Sequence, residues 1–388
     1  MAKKKVKLAN KFLIGVAVNT YGKTTFKRRV KLITDGTLSK LKPPFVVVAN
    51  HAGFVDVGGL VMSMYPNCAN FVISVTQLVQ WPSIIKSFGV LPKKQFTVDT
   101  SLIRDIKYVL SCNRPVVIYP EAKLSVVGTP NIIKPAIAKL VKMLKVPLVT
   151  ACFNGTYLNK PRWAKTKRKL PVRLDVKVAV TEEELDTITA GEIHERIVKN
   201  LAYDDYAYQL ENNIEIDVPD LVEGLENILY KCPECGEEFA MTGHGHTLAC
   251  SKCGHTVTQN KLGELEGGKF SKVTDWYQWQ TECVREEVAG EDYRFEGFFR
   301  AEKLVGKKYV DMGEAKITHD REGIYATFAG ETLHYKAGVF YTLSFNNDYV
   351  YLPTQEAVYR FKRLSNVGCT TKLNLAVEQQ TILLEQNK

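Results

Sequence analysis

A histidine and an aspartate stand close together in the stretch VVVANHAGFVD, residues 46–56. The three valines predict a buried strand, and His51 and Asp56 follow directly after its end. An imidazole can take a proton from a hydroxyl near neutral pH, and a carboxylate can fix its tautomer and stabilise the imidazolium. The spacing therefore indicates a general base with its orienting acid. The alternative is a core histidine bonded to a backbone carbonyl.

Three further motifs follow along the chain: FGVLPKKQ at 88–95, YPEAKLS at 119–125 and VPLVTA at 146–151. Together with NHAGFVD they resemble, in the right order, the sequence blocks of the glycerolipid acyltransferases. The resemblance is to the lysophosphatidic acid acyltransferase group, whose signature is N-H-x4-D. It extends over residues 10–210, a little over half of the chain. Any one block would be a weak signal, whereas four in order are a strong one.

The resemblance implies a fold and a reaction. The fold would be α/β, a glycerol-phosphate-acyltransferase-like mixed sheet flanked by helices. His51 would be the general base on a lysophospholipid hydroxyl (1-acyl-glycerol-3-phosphate or a related acceptor), and Asp56 would orient it. The hydroxyl oxygen would attack the thioester of an acyl-CoA or acyl carrier protein, with backbone N–H groups stabilising the oxyanion. Glu121 would bind on the acceptor side.

Two blocks depart from the family's pattern. After the glutamate of the third block the family carries Gly-Thr-Arg, and this chain has Ala122, Lys123 and Leu124. The family's second block ends on Arg, and this chain has Gln95. Those arginines would grip the acceptor phosphate, because a guanidinium forks onto two oxygens. The candidate replacements, which are otherwise solvated loop lysines, are Lys93, Lys94 and Lys123. The acceptor lipid therefore stays open.

Four cysteines form a C-x2-C-x14-C-x2-C pattern within CPECG and CSKCG: Cys232, Cys235, Cys250 and Cys253. Each pair with its glycine predicts a metal-binding knuckle, and the whole resembles a zinc ribbon with a closed, structural Zn²⁺ site. An iron centre with the same ligands is the alternative. The other five cysteines are scattered, which favours a reducing compartment. Acidic flanks make nucleic acid an unlikely partner, so the ribbon is predicted as a folding staple or a protein-docking module.

Charge is distributed unevenly along the chain. Residues 1–180 hold 31 Lys and Arg against 6 Asp and Glu, a net charge of +25, whereas residues 181–388 carry −15. The basic half predicts an anionic membrane surface as partner, and the basic run 160–169 with Trp163 fits this. The apolar run 12–18 predicts an amphipathic helix that lies on a membrane or packs on the core. No segment reaches the ~18–20 apolar residues that span a bilayer.

The order of the elements predicts several domains. Strands alternate with helices over 40–180, which indicates an α/β acyltransferase domain with a largely parallel sheet, at 1–215. A linker helix is predicted at 216–230 and the zinc ribbon at 231–262. Aromatic-rich alternating runs separated by Gly, Asn and Asp predict a β-rich domain at 263–388, a small antiparallel sandwich or barrel.

Two classes of function fit these features best. The favoured one is a cytoplasmic, peripheral membrane acyltransferase of phospholipid biosynthesis. The second is a non-catalytic lipid- or protein-binding adaptor that keeps an acyltransferase-like fold. A zinc-ribbon nucleic-acid protein would explain the basic half but not NHAGFVD. His51, Asp56 and Glu121 are all present, which favours catalysis.

Overall fold

The computed structural model describes residues 6–53, 55–80, 87–93, 99–364 and 366–387, with backbone alone at 27–29, 76, 79 and 80. The chain forms two compact units. Unit 1 comprises Met1–Lys160 and Arg168–Asn212, and unit 2 comprises Pro161–Lys167 and Asn213–Lys388. The four-cysteine motif and the β-rich C-terminal segment therefore belong to one unit.

Unit 1 contains a seven-stranded sheet in the order β1-β7-β6-β2-β5-β3-β4. Its strands are β1 (Leu32–Thr34), β2 (Val46–Ala49), β3 (Asn70–Ser74), β4 (Val90–Lys93), β5 (Val116–Ile118), β6 (Leu148–Asn154) and β7 (Val172–Val180). From β6 to β4 all neighbours are parallel, whereas β7 runs antiparallel to β6. The predicted α/β class with a largely parallel sheet is confirmed, and β7 makes the sheet mixed.

The described helices of unit 1 lie before, between and after these strands. They are α1 (Lys11–Ala17), α2 (Thr37–Lys40), α3 (Val55–Met64), α4 (Val75–Gln80), α5 (Thr100–Ser111), α6 (Ala136–Leu144), α7 (Thr156–Asn159), α8 (Ala190–Asn200) and α9 (Asp205–Glu211). The start of α5 shows why the Asp-Thr-Ser cluster begins a helix, because the Asp99 carboxylate accepts from the Leu102 N–H at 3.1 Å. The same helix buries its predicted apolar face, including Ile106 and Val109.

Strand β2 lies in the middle of the sheet, and all four of its residues are buried. On one side its core includes Leu60 and Met64 of α3 and Phe153 of β6. Each fully buried side chain of this kind contributes about 1.5–3 kcal/mol. The carboxyl end of β2, where NHAGFVD begins, is therefore held firmly in place.

The N-terminal helical segment continues from α1 through π-helical turns at Val18–Gly22 and Thr24–Arg29. Ile14 and Val18 are buried, so one side of the segment packs on unit 1. Phe12, Val16 and Tyr21 are instead 76%, 46% and 69% exposed. Among the described helices, none is both long enough and apolar enough to cross a bilayer.

Unit 2 begins with turns rather than with the predicted linker helix. Residues 216–230 contain a single 3-10 turn at Leu225–Asn227, preceded by Gly224 at φ 98°. A Cβ at Gly224 would lie 2.2 Å from the Trp163 carbonyl oxygen, so a helix-compatible side chain has no room there. Trp163 is 3% exposed, which corrects its predicted place at a membrane interface.

The cysteine motif of unit 2 lies on and beside a four-stranded antiparallel sheet in the order β11-β10-β9-β8. Its strands are β8 (Met241–His244), β9 (Thr247–Cys250), β10 (Thr256–Gln259) and β11 (Leu265–Glu266). The helix α10 (Val273–Ala289) follows this sheet.

The C-terminal part of unit 2 is one seven-stranded antiparallel sheet, in the order β15-β14-β13-β12-β18-β17-β16. The strands are β12 (Phe295–Val305), β13 (Lys308–Asp320), β14 (Gly323–Phe328), β15 (Glu331–Lys336), β16 (Ser344–Phe345), β17 (Tyr349–Pro353) and β18 (Val358–Arg363). The predicted sandwich or barrel is wrong, because helix α11 (Cys369–Gln386) packs on this sheet and on α10.

Candidate active site and metal site

The predicted pair His51 and Asp56 is brought together at the carboxyl end of β2. His51 Nδ1 lies 3.2 Å from Asp56 Oδ2. The Asp56 side chain is fully buried, whereas 24% of the His51 side chain is exposed. Because an ionised carboxylate can only accept, this contact places the imidazole proton on Nδ1 and leaves Nε2 as a proton acceptor. The pair thus has the geometry of a base oriented by an acid.

Asp56 is fixed by the turn that leads into α3. Its Oδ2 also accepts from the Gly53 N–H at 2.9 Å, and its place in the first turn of α3 favours a negative charge. Gly53 packs against the backbone of α7, where an added Cβ would lie 2.5 Å from the Thr156 carbonyl oxygen. Only glycine therefore fits this position without a shift of the turn.

Asn50 ties the end of β2 to β6. Its side-chain amide donates to the Phe153 carbonyl at 2.9 Å and accepts from the Phe153 N–H at 2.7 Å. Asn50 is fully buried, so loss of this pair would leave buried polar groups without partners. The asparagine of the motif is therefore a brace for the residue that follows it, His51.

Glu121 is bonded to the backbone of His51. It is fully buried. Oε1 accepts from the His51 backbone N–H at 2.8 Å, and Oε2 accepts from the Asn131 N–H and Nδ2 at 2.7 and 2.8 Å. Burial raises the pKa of Glu121, and the hydrogen bonds from Asn131 and His51 oppose that rise. Both oxygens accept hydrogen bonds from the protein, and the place of Glu121 on the acceptor side stays a prediction.

The segment between β5 and α6 holds the backbone of His51 from a second direction. The Ser125 N–H donates to the His51 carbonyl at 2.8 Å. The Ser125 hydroxyl in turn donates to the Thr129 carbonyl at 2.7 Å and accepts from the Gly128 N–H at 2.9 Å. Both backbone polar groups of His51 are thus bonded within this segment.

Tyr119 was not singled out from the sequence, yet its ring lies against His51. The ring centroids are 4.4 Å apart and the planes are inclined by 28°. The residue stands two positions before Glu121, at the end of the apolar run that forms β5. The signal in the sequence is an aromatic residue directly after a buried strand, at the first position of the motif YPEAKLS.

Two of the three candidate substrate-binding lysines lie among the described residues, and neither is fully exposed. Lys93 ends β4 and is half-buried, and burial lowers its pKa, while Asp99 opposes that change. Lys123 is only 7% exposed. Lys94 and the adjacent Gln95 lie outside the described residues.

The four cysteines of the predicted ribbon are brought together in unit 2. All four sulfur atoms lie within 4.8 Å of one another, and two of the spacings are 3.8 Å (Cys232–Cys253) and 3.9 Å (Cys235–Cys250). Four thiolates at ~2.3 Å from a tetrahedral Zn²⁺ stand about 3.8 Å apart. The cluster could therefore bind a metal such as zinc.

Each knuckle closes on a glycine, as the sequence predicts. Gly236 and Gly254 have φ values of 75° and 77°, and each N–H donates to the carbonyl of the first cysteine in its own pair, at 3.0 and 2.9 Å. This left-handed conformation favours glycine because other residues carry a Cβ. The turns aim both thiols of a pair in one direction.

Charged residues tie the first knuckle to the helices of unit 2. Lys231 lies 3.2 Å from both Glu238 and Glu287, and Lys372 lies 2.5 Å from Glu238 and 2.8 Å from Glu287. The Trp276 indole donates to the Lys231 carbonyl at 2.9 Å. The cluster is thereby joined to α10 and α11, which fits a stabilising role for a bound metal.

No family model matches the sequence, and no curated protein matches it. Among solved structures, the chain is similar to the crystal structure of the 1-acyl-sn-glycerophosphate (LPA) acyltransferase PlsC from Thermotoga maritima. The sequence identity is 15%, the TM-score is 0.43, and the match covers 54% of this chain and 83% of that chain.

Proposed function

We propose that unit 1 is an acyltransferase that moves a fatty acyl group from a thioester to a lipid hydroxyl. The observation that carries the proposal is the His51–Asp56 pair. The buried Asp56 carboxylate lies 3.2 Å from Nδ1 of the partly exposed His51 imidazole. A base oriented in this way activates a hydroxyl, and the order of the four sequence motifs favours acyl transfer over other hydroxyl chemistry.

The proposed reaction uses His51 first as a base and then as an acid. Nε2 takes the proton of the acceptor hydroxyl, and the oxygen attacks the thioester carbonyl to form the new carbon–oxygen bond. The carbon–sulfur bond then breaks, and the leaving thiolate takes the proton from the imidazolium. Asp56 keeps Nδ1 protonated and stabilises the positive charge of His51 between these two transfers.

The proposal extends to the substrates and to the membrane. The acceptor would be a lysophospholipid (1-acyl-glycerol-3-phosphate or a related lipid) and the donor an acyl-CoA or an acyl carrier protein thioester. Association with an anionic bilayer is supported by the exposed Phe12, Val16 and Tyr21 on the N-terminal helical segment, next to basic residues such as Lys11 and Lys23. Apolar side chains would insert while lysines meet lipid phosphates.

Release of free thiol from an acyl thioester, with a panel of lysolipids, tests the reaction. We expect His51→Ala to lower kcat/KM by ~10²–10⁴-fold, the usual contribution of a positioned base. His244→Ala is the matched control, because that histidine is 96% exposed and lies in unit 2. Equal rates for wild type and His51→Ala would refute the proposal and leave the adaptor function.

Binding to vesicles tests the membrane association separately. Phe12→Glu and Tyr21→Glu should weaken co-sedimentation with vesicles that contain anionic lipid, because each places a negative charge on the exposed apolar surface. Val198→Glu is the control, since Val198 is 45% exposed on α8 and lies outside the N-terminal helical segment. Equal loss in all three variants, or in none, would contradict the assignment of this surface.

For unit 2 we propose a structural Zn²⁺ held by Cys232, Cys235, Cys250 and Cys253. Four thiolates fill a tetrahedral shell and leave no position for a reacting water, so the metal would stabilise the fold rather than take part in the reaction. Metal analysis of the purified chain should give one zinc per molecule, and Cys232→Ser should lower both the zinc content and the melting temperature. A full complement of iron would overturn the choice of metal.

A further inference from the structure

The imidazole of His51 is touched by two side chains in two different ways. Asp56 meets its edge at Nδ1, whereas the ring of Tyr119 lies against its face at a centroid distance of 4.4 Å. The edge contact sets the direction of Nδ1 but leaves the ring free to tilt about that contact. The face contact restricts the tilt, so the two together fix where Nε2 points.

The hydroxyl of Tyr119 does not hold its ring in place. Its Oη atom is buried and has no hydrogen-bond partner among the described residues. Burial raises the pKa of Tyr119 well above its ordinary value, and the nearby Asp56 carboxylate raises it further. The phenol therefore stays protonated and cannot replace His51 as the base. What Tyr119 presents to the site is the face of its ring.

We propose that Tyr119 is a positioning residue for His51 and that its ring face stabilises the imidazolium. This rests on the proposed acyl transfer, in which His51 carries a proton between two steps. A cation within about 6 Å of an aromatic centroid is attracted by the negative face of the ring. Asp56 then stabilises the charge from the edge and Tyr119 from the face. Both contacts are present in the protein without a bound substrate.

The charged and titratable neighbours of His51 can be separated from this effect. Asp56 faces it from α3, and Glu121 and Tyr119 face it from the segment that begins at the end of β5. Glu121 bonds the backbone N–H of His51, not its ring. Replacing Tyr119 leaves both carboxylates in place, so a change in the His51 ring titration reports on the aromatic face.

The test is a pH titration of the His51 ring by NMR in the full-length chain, with His51→Ala used to assign the signal. Tyr119→Leu removes the aromatic face, and Tyr119→Phe removes only the hydroxyl. Tyr119→Met serves as a second non-aromatic variant where circular dichroism shows Tyr119→Leu to be unfolded. Tyr108→Leu is the control, because Tyr108 is 38% exposed on α5 and is remote in sequence from the motif.

The non-aromatic variants should lower the titration midpoint by ~0.4–0.7 pH units, the size of an exposed cation–π contact. They should also lower kcat/KM by about two- to fivefold. Tyr119→Phe should keep the wild-type midpoint. A wild-type midpoint in the non-aromatic variants would overturn the proposal, and so would an equal shift in Tyr119→Phe, which would assign the effect to the hydroxyl.

The titration separates this inference from the proposed function. It needs no turnover, so it gives an answer even for a chain that consumes no thioester. An inactive wild type with a shifted midpoint in Tyr119→Leu refutes acyl transfer and keeps the contact between the ring and the imidazolium. An active wild type with an unshifted midpoint keeps acyl transfer and refutes the role of Tyr119.

Discussion

Substitution of Gly53 by alanine should distort the candidate active site without removing any of its functional groups. An added Cβ would lie 2.5 Å from the Thr156 carbonyl oxygen and 3.0 Å from its carbon. The turn or α7 must therefore move by at least 0.5 Å to reach the 3.0 Å limit that real Cβ atoms respect. The carbonyl cannot easily yield, because the buried Asp205 accepts from the Gly155 and Tyr157 N–H groups on either side of it.

The magnitude follows from two effects of that displacement. Overpacking of a close-packed site typically costs about 1–3 kcal/mol of stability. The Gly53 N–H that donates to Asp56 would move with the turn, and the His51–Asp56 contact would lengthen with it. A misplacement approaching 1 Å can cost about 10²-fold in rate, so we expect Gly53→Ala to lower kcat/KM by roughly 10- to 100-fold.

Two measurements check this expectation against a matched control. Hydrogen exchange should show weaker protection of the α3 amides in Gly53→Ala, and the thioester assay should show the lower kcat/KM. Gly191→Ala is the control, since its Cβ would meet only the Thr189 hydroxyl, at 3.8 Å. Alanine within a helix is usually better than glycine by ~0.5–1 kcal/mol, so the control should be neutral or slightly stabilising. Wild-type protection and activity in Gly53→Ala would refute the close packing on which the argument rests.

Three further predictions concern buried polar groups. Glu121→Gln should destabilise unit 1 by about 1–3 kcal/mol in urea unfolding, because the amide NH2 of glutamine would face an N–H donor; exposed Glu195→Gln is the control. The pKa of Glu121 is raised in the folded state. The wild type should therefore lose stability relative to the variant as the pH rises above about 4.5. Asn50→Ala should cost about 1–3 kcal/mol in the same assay, and an unchanged midpoint would contradict its bridging role. Burial lowers the pKa of His319 to about 4. The free energy of unfolding of unit 2 should therefore fall by about 3 kcal/mol as the pH falls from 6.5 to 4. His319→Gln should reduce this pH dependence, measured by tryptophan fluorescence.

The sequence predicts unit 1 well where apolar strands alternate with amphipathic helices. The runs at β2, β3, β5 and β6 are short, apolar and bounded by turn residues, so their pattern alone identifies them. Strand β7 was not predicted, although Arg173, Asp175 and Lys177 alternate with apolar residues along it. These charges mask the period of two that marks a strand with one buried face.

The sequence predicts the C-terminal part of unit 2 less well, because α11 lacks a helical apolar stripe. Its buried residues include threonine, asparagine, glutamate and glutamine. The Thr342 hydroxyl donates to Glu378 at 2.6 Å and its oxygen lies 3.1 Å from the Asn374 amide oxygen, so polar contacts add to the apolar packing of this helix. Periodicity of hydrophobic residues cannot identify such a helix, and without it the alternating strands suggest a sheet that packs on another sheet.

In the candidate active site, the residue types and their order are readable, whereas the direction of each side chain is not. Glu121 and Asp56 are both acidic residues next to turns, yet one carboxylate bonds the backbone of His51 and the other its ring. Every residue except proline has a backbone N–H, so the sequence does not show which of them a carboxylate bonds. It therefore cannot distinguish a carboxylate that bonds the backbone from one that binds a ligand. Asp56 bonds the ring of His51, and Glu121 and Ser125 bond its backbone, which leaves His51 Nε2 for proton transfer. Substitutions at these three residues should therefore lower activity by displacing Nε2.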